Sequence, residues 1–462
     1  MGKYSEYKTI NLPWLAKIPA NWELIRNKQF LREKKDIVGD LSNQFALLSL
    51  TLRGVIKRDL SEKKGKLPGS FDTYKIISPG DIIFCLFDMD ETPRTVGLSE
   101  YDGMLTGAYT VFQVNGINPQ FLYYYYLSLD NIKALRPLYT GLRKTIKTDT
   151  FLALKLPVPP RAEQDQIVRF LDWKVSEINK LIGIRRKEIQ ELEELKAEII
   201  NSAILQGIDS NVVMKKTDVY YLPKIPATWK VIKIKRICKV GASISNQLKK
   251  HTDQDKVVFL PMENISENGK IDCSIKQPIA KVRTGFSSFA KNDVIVAKIT
   301  PCFENGKGAC LDELESDIGY GTTELFNLRA GNDVLPKYLY YITMTKIFRS
   351  LGEGQMTGSA GQKRVPADFI RNFVIGLPSI AIQYKIIDYI CLKTSQINRL
   401  ICTKHKQLEF LKELCSTIIS DVVTGKIDVR NIPVPAYEHV DDLTADDGED
   451  NDEETGIPGE ED

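Results

Sequence analysis

The chain has 462 residues, 43% hydrophobic and 27% charged, and no apolar run approaches the length of a bilayer span; it reads as a cytoplasmic globular protein of two to four domains, not a helical membrane protein. Its net charge of +3 hides a polarised chain: residues 438–462 hold 13 of the 60 acids and no Lys or Arg, so residues 1–437 carry 63 basic against 47 acidic side chains. That basic balance suits a polyanion partner, while eight cysteines without a CxxC pair and three scattered histidines argue for reduced thiols and against a zinc site.

The chain opens with KIPANW at 17–22, a proline-marked entry followed by an alternating stretch, Glu23 to Arg26, that reads as a strand. FALLSLTLRGVIKRDL (45–60) is a short apolar strand leading into a glycine-containing loop. SPGDIIFCLF (78–87) is a turn, an Asp and a strand of β-forming residues. PQFLYYYYL (119–127) begins with proline at a helix first turn, and its aromatic run reads as a buried helix. LPVPPRAEQDQI (156–167) cannot continue a helix or a central strand, so it is a connector into a long helix. In that helix Ile178, Leu181, Ile182, Ile189, Leu192, Leu195, Ile199 and Ala203 recur in threes and fours, one apolar stripe that Gly207 closes.

Every one of these elements is then written again. KIPATW stands at 224–229 with a strand at Lys230 to Lys235, VVFLPMENISENGKID at 257–272, AKNDVIVAKI at 290–299, PKYLYYITM at 336–344 and GLPSIAIQYKI at 376–386. The stripe returns 219 positions on as Ile397, Leu400, Ile401, Leu408, Leu411, Leu414, Ile418 and Val422, closed by Gly425. At 1.5 Å per residue each helix is about 58 Å long, too long for one small core to cover, so each copy is the expected cover of the other as a coiled coil. Arg185 and Lys404 occupy equivalent polar positions in the stripe and are expected to fix its register. The fold is α+β and internally duplicated: a β-rich domain (1–160), a spacer helix (161–209), a second β-rich domain (210–378), a second spacer helix (379–430) and an acidic disordered tail (431–462). An antiparallel pair of helices would place the domains at opposite ends of a rod of roughly 50–60 Å.

Catalytic signatures are scarce. ENGKGA (304–309) lacks the first glycine of a phosphate-binding loop, and the glycines at 352, 354 and 358 break the dinucleotide spacing and read as a mobile loop. Asn118-Pro119-Gln120-Phe121 invites comparison with the Asn-Pro-Pro-Tyr/Phe motif of amino-methyltransferases, but its repeat partner, Leu335-Pro336-Lys337-Tyr338, makes it a helix start. What remains is basic and amide-bearing loop material at corresponding places. In the first half it is Arg53, Lys57, Arg58, Lys63 and Lys64, then Arg143, Lys144 and Lys147. In the second it is Gln247, Lys249 and Lys250, then Lys281 and Arg283, then Gln362, Lys363 and Arg364. Lys and Arg neutralise phosphates, and Arg and Gln pair with base edges, so these loops are the candidate DNA-binding residues.

The ordered set of KIPANW and KIPATW, GDIIF and NDVIV, PQFLYYYYL and PKYLYYI, and PPRAEQDQIVRFLD and SIAIQYKIIDYI running into INKLI and INRLI resembles the specificity subunit of Type I restriction-modification systems. One departure is Ile382-Gln383 where the family has Glu-Gln, as the first copy does at Glu163-Gln164. The resemblance implies a non-catalytic chain whose β-rich domains are target recognition domains, each binding half of a bipartite, asymmetric sequence in double-stranded DNA. It also implies an antiparallel helix pair as spacer and two modification subunits that carry S-adenosylmethionine and methylate adenine. A restriction subunit using ATP and Mg would complete the complex, with no cofactor in this chain. Two other classes stay open on residues alone: an enzyme in its own right, and a coiled-coil adaptor without sequence preference on DNA.

Overall fold

In both halves, the Asp of the GDIIF-type segment closes a turn and starts a strand at the centre of a sheet. Asp81 Oδ2 accepts from the Ser78 N–H (2.8 Å) and from Lys34 Nζ (2.6 Å), and Asp293 Oδ2 accepts from the Ala290 N–H (2.8 Å) and Arg329 Nη2 (2.7 Å). The computed structural model describes residues 2–58, 70–140, 144–359 and 362–441. The chain divides into two compact units, Met1–Glu188 with Lys404–Asp462, and Ile189–Thr403. The boundary falls inside both long helices, so each unit holds one β-rich domain and a part of each helix.

The first unit is built on an antiparallel sheet in the order Leu31–Lys34, Thr110–Val114, Ile82–Phe84, Val96–Leu98. The second repeats it as Cys238–Val240, Leu325–Ala330, Val294–Ala297, Gly308–Cys310. The strand after each Trp pairs with the strand before each connector, Glu23–Arg26 with Lys155–Val158 and Lys230–Lys233 with Val374–Leu377. Trp22 and Trp229 are buried beneath these pairs. Against the central sheets lie the helices Pro119–Asn131 and Pro336–Met344, whose tyrosine runs face inward.

The halves diverge in their second layer. Lys256–Leu260 sits inside a four-stranded sheet, paired antiparallel to Lys276–Pro278 and parallel to Ile318–Gly321. In the first half the matching segment folds on itself as a hairpin, Leu48–Thr51 with Gly54–Lys57, turning at Gly54 (φ +93°). Among the described residues of the first half a single parallel bridge, Leu47 to Met104, retains the other arrangement. The second half also turns on a left-handed glycine, Gly269 (φ +78°), but three residues further along, inside the bridge of Ile265 to Ile271.

The long helices run Arg161–Gln206 and Ile380–Val423. Each begins on a buried glutamine that ties connector to domain. Gln164 accepts from the Asn118 N–H (2.8 Å) and donates to the Pro159 carbonyl (2.9 Å); Gln383 accepts from the Leu335 N–H (2.8 Å) and donates to Pro378 (3.0 Å) and Asp333 (2.9 Å). The departure at Ile382 is therefore local to its neighbour. Glu163, 6% exposed, accepts from Tyr4 Oη (2.6 Å), Trp22 Nε1 (2.8 Å) and Asn21 Nδ2 (3.0 Å), whereas Ile382 offers Trp229 no acceptor. Glu163→Ala leaves three donors without an acceptor, and we expect about 3 kcal/mol of lost stability in chemical denaturation. A loss under about 1 kcal/mol would show that the first unit, like the second, does not need the carboxylate.

Of the stripe, Ile178, Ile182, Ile189, Ala203, Ile397, Leu408 and Val422 are buried, while Leu181, Leu195 and Leu400 are exposed, so the buried seam is narrower than the apolar pattern. Within the first unit Glu188 Oε2 accepts from both register residues, Arg185 Nη1 (2.5 Å) and Lys404 Nζ (2.9 Å). These two donors, Arg185 first, hold the Glu188 carboxyl below the usual carboxylate range. Both helices end on left-handed glycines, Gly207 (φ +84°) against Trp229 and Gly425 (φ +72°) against Pro19 and Trp22. The second helix thereby delivers the chain back to its own N-terminus. Gly2 bridges to Asp428, Tyr7 Oη donates to the Gly425 carbonyl (3.1 Å), and Arg430 stacks over the Tyr4 ring.

Of the tail expected to be disordered from 431, residues 431–441 are among the described residues. Residues 431–441 lie against the first long helix because Ile432, Val434, Tyr437 and Val440 give them an apolar edge; 442–462, most of the acidic run, fall outside the described residues. Among the described residues no helix is long and apolar enough to cross a membrane.

Candidate nucleic-acid interface

The loop cations named from sequence do not share one electrostatic state. Lys63, Lys64 and Arg143 lie outside the described residues. Arg53 is at the tip of the 48–57 hairpin, on a groove of about 660 Å³ that is also lined by Tyr123, Asn179, Lys412 and Val440; Arg58 is half-buried at the hairpin's end. Lys57 Nζ sits 4.8 Å from the centre of the Tyr101 ring. Lys144 is tied to Glu91 (2.5 Å) and Asp90 (3.3 Å), and these hydrogen bonds push its pKa up. Arg283 pairs with Asp253 (3.2 Å).

Arg364 forms a two-pronged pair with Glu324, Nε to Oε2 at 2.9 Å and Nη2 to Oε1 at 3.0 Å, which raises the arginine's pKa and lowers the glutamate's. An arginine already forked onto a carboxylate must exchange that partner before it can grip a base or phosphate. Lys147, Lys249, Lys250, Lys281 and Lys363 are exposed without an ion pair to any described residue, Gln362 is exposed beside Lys363, and Gln247 is half-buried in the short helix Ser245–Leu248. The structure thus brings Gln362, Lys363 and Arg364 together, and separately Gln247, Lys249 and Lys250.

A second set of cations carries no sequence motif of its own. After the first strand of each half the chain makes one 3-10 turn, Asn27–Gln29 and Ile234–Arg236, and enters the edge strand of the central sheet. The two copies share their main-chain bonds. Phe30 N–H donates to the Asn27 carbonyl and Ile237 N–H to Ile234, both at 2.9 Å; Asn115 N–H donates to Phe30 (2.8 Å) and Gly331 N–H to Ile237 (2.7 Å). This edge exposes Arg26, Lys28 and Arg32 in the first unit and Lys233, Lys235, Arg236 and Lys239 in the second.

In the second unit the edge walls a groove of about 490 Å³ lined by Lys235, Arg236, Lys239, Arg329 and Arg371, with Asp333 the one lining carboxylate among the described residues. Arg329 is neutralised by Asp293 (2.7 Å) and Arg371 pairs with Asp368 (3.1 Å), but Arg236 and Lys239 meet no carboxylate among the described residues. Unpaired cations on an edge strand can displace counterions from a phosphate backbone; paired ones largely cannot. The available signal was that these charges recur in both halves at an offset of 207, whereas the loop clusters do not match.

Among the described residues no group of His, Cys, Asp and Glu is placed to hold a metal ion. Asn118 is a helix cap, its Oδ1 accepting from the N–H groups of Gln120 (2.9 Å) and Phe121 (3.2 Å) and its amide donating to Asp165 (2.8 Å). Gly352 belongs to the helix Lys346–Glu353 and not to a mobile loop, since a Cβ there would come 2.4 Å from the Phe303 ring.

The sequence matches the family model of the Type I restriction modification DNA specificity domain over residues 81–202 and 226–409, more than half of the chain. The EcoAI specificity subunit of Escherichia coli is 40% identical over 168 residues, 36% of this chain and 28% of that protein. The EcoEI specificity subunit of the same species is 34% identical over 194 residues, 40% of this chain and 32% of that protein. The alignments thus span about a third of these two relatives. The MjaVIII specificity subunit of Methanocaldococcus jannaschii is 25% identical over 297 residues, 61% of this chain and 64% of that protein. In fold, a chain from a solved type I R-M system, described for its assembly and conformational transition, superposes with a TM-score of 0.60 at 14% identity over 89% of this chain and 99% of that one.

Proposed function

Because the chain belongs to the family of the Type I restriction modification DNA specificity domain, we propose that it is the DNA-reading, non-catalytic subunit of a Type I restriction-modification complex, each unit binding one half of a bipartite, asymmetric target. The observation that carries this reading is the repetition with difference: one sheet and one cation edge occur twice, beneath loops that do not match. Equal edges suit the sequence-independent phosphate backbone, and unequal loops suit two different half-sites.

In mechanism, Arg26, Lys28 and Arg32, with Lys233, Lys235, Arg236 and Lys239, fix each unit on the phosphates. The Gln247–Lys250 and Gln362–Arg364 clusters reach base edges, Arg364 exchanging Glu324 for its target. The two long helices pair antiparallel as a coiled coil and set the distance between half-sites, with Glu188 clasping Arg185 and Lys404 as a register pin. Two modification subunits dock on the helices and supply S-adenosylmethionine for adenine methylation. A restriction subunit, where present, supplies ATP- and Mg-dependent translocation and cleavage. This chain holds neither cofactor and positions the partners' active sites on DNA.

The test is a map of modified bases across the host genome with the gene intact and disrupted. The expected result is loss of adenine methylation at one split, asymmetric motif; an unchanged map in a strain that expresses the modification subunit would refute the assignment.

A further inference from the structure

In the first unit the chain's own C-terminal segment lies along the first long helix and is gripped by its backbone. Gln166 Nε2 donates to the carbonyls of Val429 (3.1 Å) and Ile432 (2.8 Å). Further along the same helix, Ser176 Oγ accepts from the Val440 N–H (3.4 Å) and Asn179 Nδ2 donates to the Val440 carbonyl (3.4 Å). Three positions apart on a helix, this serine and asparagine share a face, and together they take both main-chain groups of one extended residue. Beneath the segment Ser176 is 2% exposed and Asn179 0%, and Asn179 Oδ1 is buried without a hydrogen-bond partner. Pro433 and Pro435 keep the segment extended, while Ile432, Val434, Tyr437 and Val440 give it a half-buried apolar edge.

The same pair is written in the second long helix, 219 positions on, as Ser395 and Asn398. Both are exposed there, and the helix period sets them in one arc with Leu392, 59% exposed, and Tyr384, 55% exposed. We propose that this face, Tyr384, Leu392, Ser395 and Asn398, is a docking surface for an extended, apolar, proline-bearing segment of a partner polypeptide, gripped by its main chain as Val440 is gripped in the first unit. The first unit's copy of the surface is closed by the chain's own residues 431–441, so a partner meets one open face and one that it must uncover. The occupant is a partner and not a second copy of this chain, because each copy's C-terminal segment is tethered beside its own groove at an effective concentration on the order of millimolar. None of this depends on the DNA reading, so either can fail alone.

The probe is a fluorescein-labelled synthetic peptide of residues 429–441, titrated into the full-length chain and followed by anisotropy. One saturable site is expected. Asn398→Ala with Leu392→Asp, both exposed positions, should weaken it at least tenfold, and Ser176→Ala should not. Val440→Pro in the full-length chain removes the N–H that Ser176 accepts from, and should reveal a second site without removing any chain. Absence of saturable binding, or binding indifferent to Asn398 and Leu392, would overturn the proposal. So would concentration-dependent self-association of the full-length chain that Leu392→Asp abolishes, since the occupant would then be a second copy.

Discussion

Lys235→Ala, Arg236→Ala and Lys239→Ala together should weaken DNA binding by the assembled complex roughly a hundredfold at about 0.15 M salt and flatten the plot of log affinity against log salt by nearly 3. Each phosphate neutralised releases condensed counterions with a slope of about 0.9, equivalent to roughly fivefold in affinity per contact at that ionic strength. Lys239 and Arg236 are the cleanest contributors, since no described carboxylate neutralises them, while Lys235 is bonded only to the neutral amide of Asn372 (3.1 Å). The loss should be equal on target and non-target DNA, because phosphates carry no sequence. All three are exposed, so thermal unfolding should not move. Arg364→Ala is the contrast: its charge is already balanced by Glu324, so it should shift sequence preference more than salt slope. An unchanged slope for the triple variant, or a loss confined to one half-site sequence, would remove the edge from the interface.

The second large effect concerns spacing. The unit boundary cuts the first long helix between Glu188 and Ile189 and the second between Thr403 and Lys404. Seven residues inserted at both cuts leave the contacts inside each unit unaltered, including the Arg185–Glu188–Lys404 cluster. They also preserve the apolar stripe, because seven residues are two turns less about 20°. At 1.5 Å per residue the insertion adds about 10 Å, close to three base pairs of B-DNA. Methylome mapping should then find the two original half-sequences separated by a gap about three base pairs longer. An unaltered gap would mean that the helices do not measure it; loss of one half-sequence would mean that the units do not read independently.

Much of this architecture lay in short stretches of sequence. Asp81 and Asp293 close turns with N–H groups three residues away, Pro119 and Pro336 open helices, and Gly207 and Gly425 end them. Such features are set by backbone sterics and by bonds between near neighbours, so the local pattern suffices. The duplication was equally plain, because two copies that bury the same face keep the same apolar period. The candidate site was less legible. Lys144, Lys147, Arg364 and Lys363 look alike as residues, yet Lys144 and Arg364 are paired with acids 53 and 40 positions away while Lys147 and Lys363 meet none among the described residues.

The sequence alone therefore determined the two repeated modules, their helices and where those helices stop, since each of these rests on period and on bonds a few residues long. Only the tertiary structure decided which cations are left to meet a polyanion, why Glu163 is a buried acceptor where Ile382 is not, and that Asn179 is covered while Asn398 is open. Charge compensation and burial are properties of groups brought together from distant parts of the chain, and no local pattern carries them.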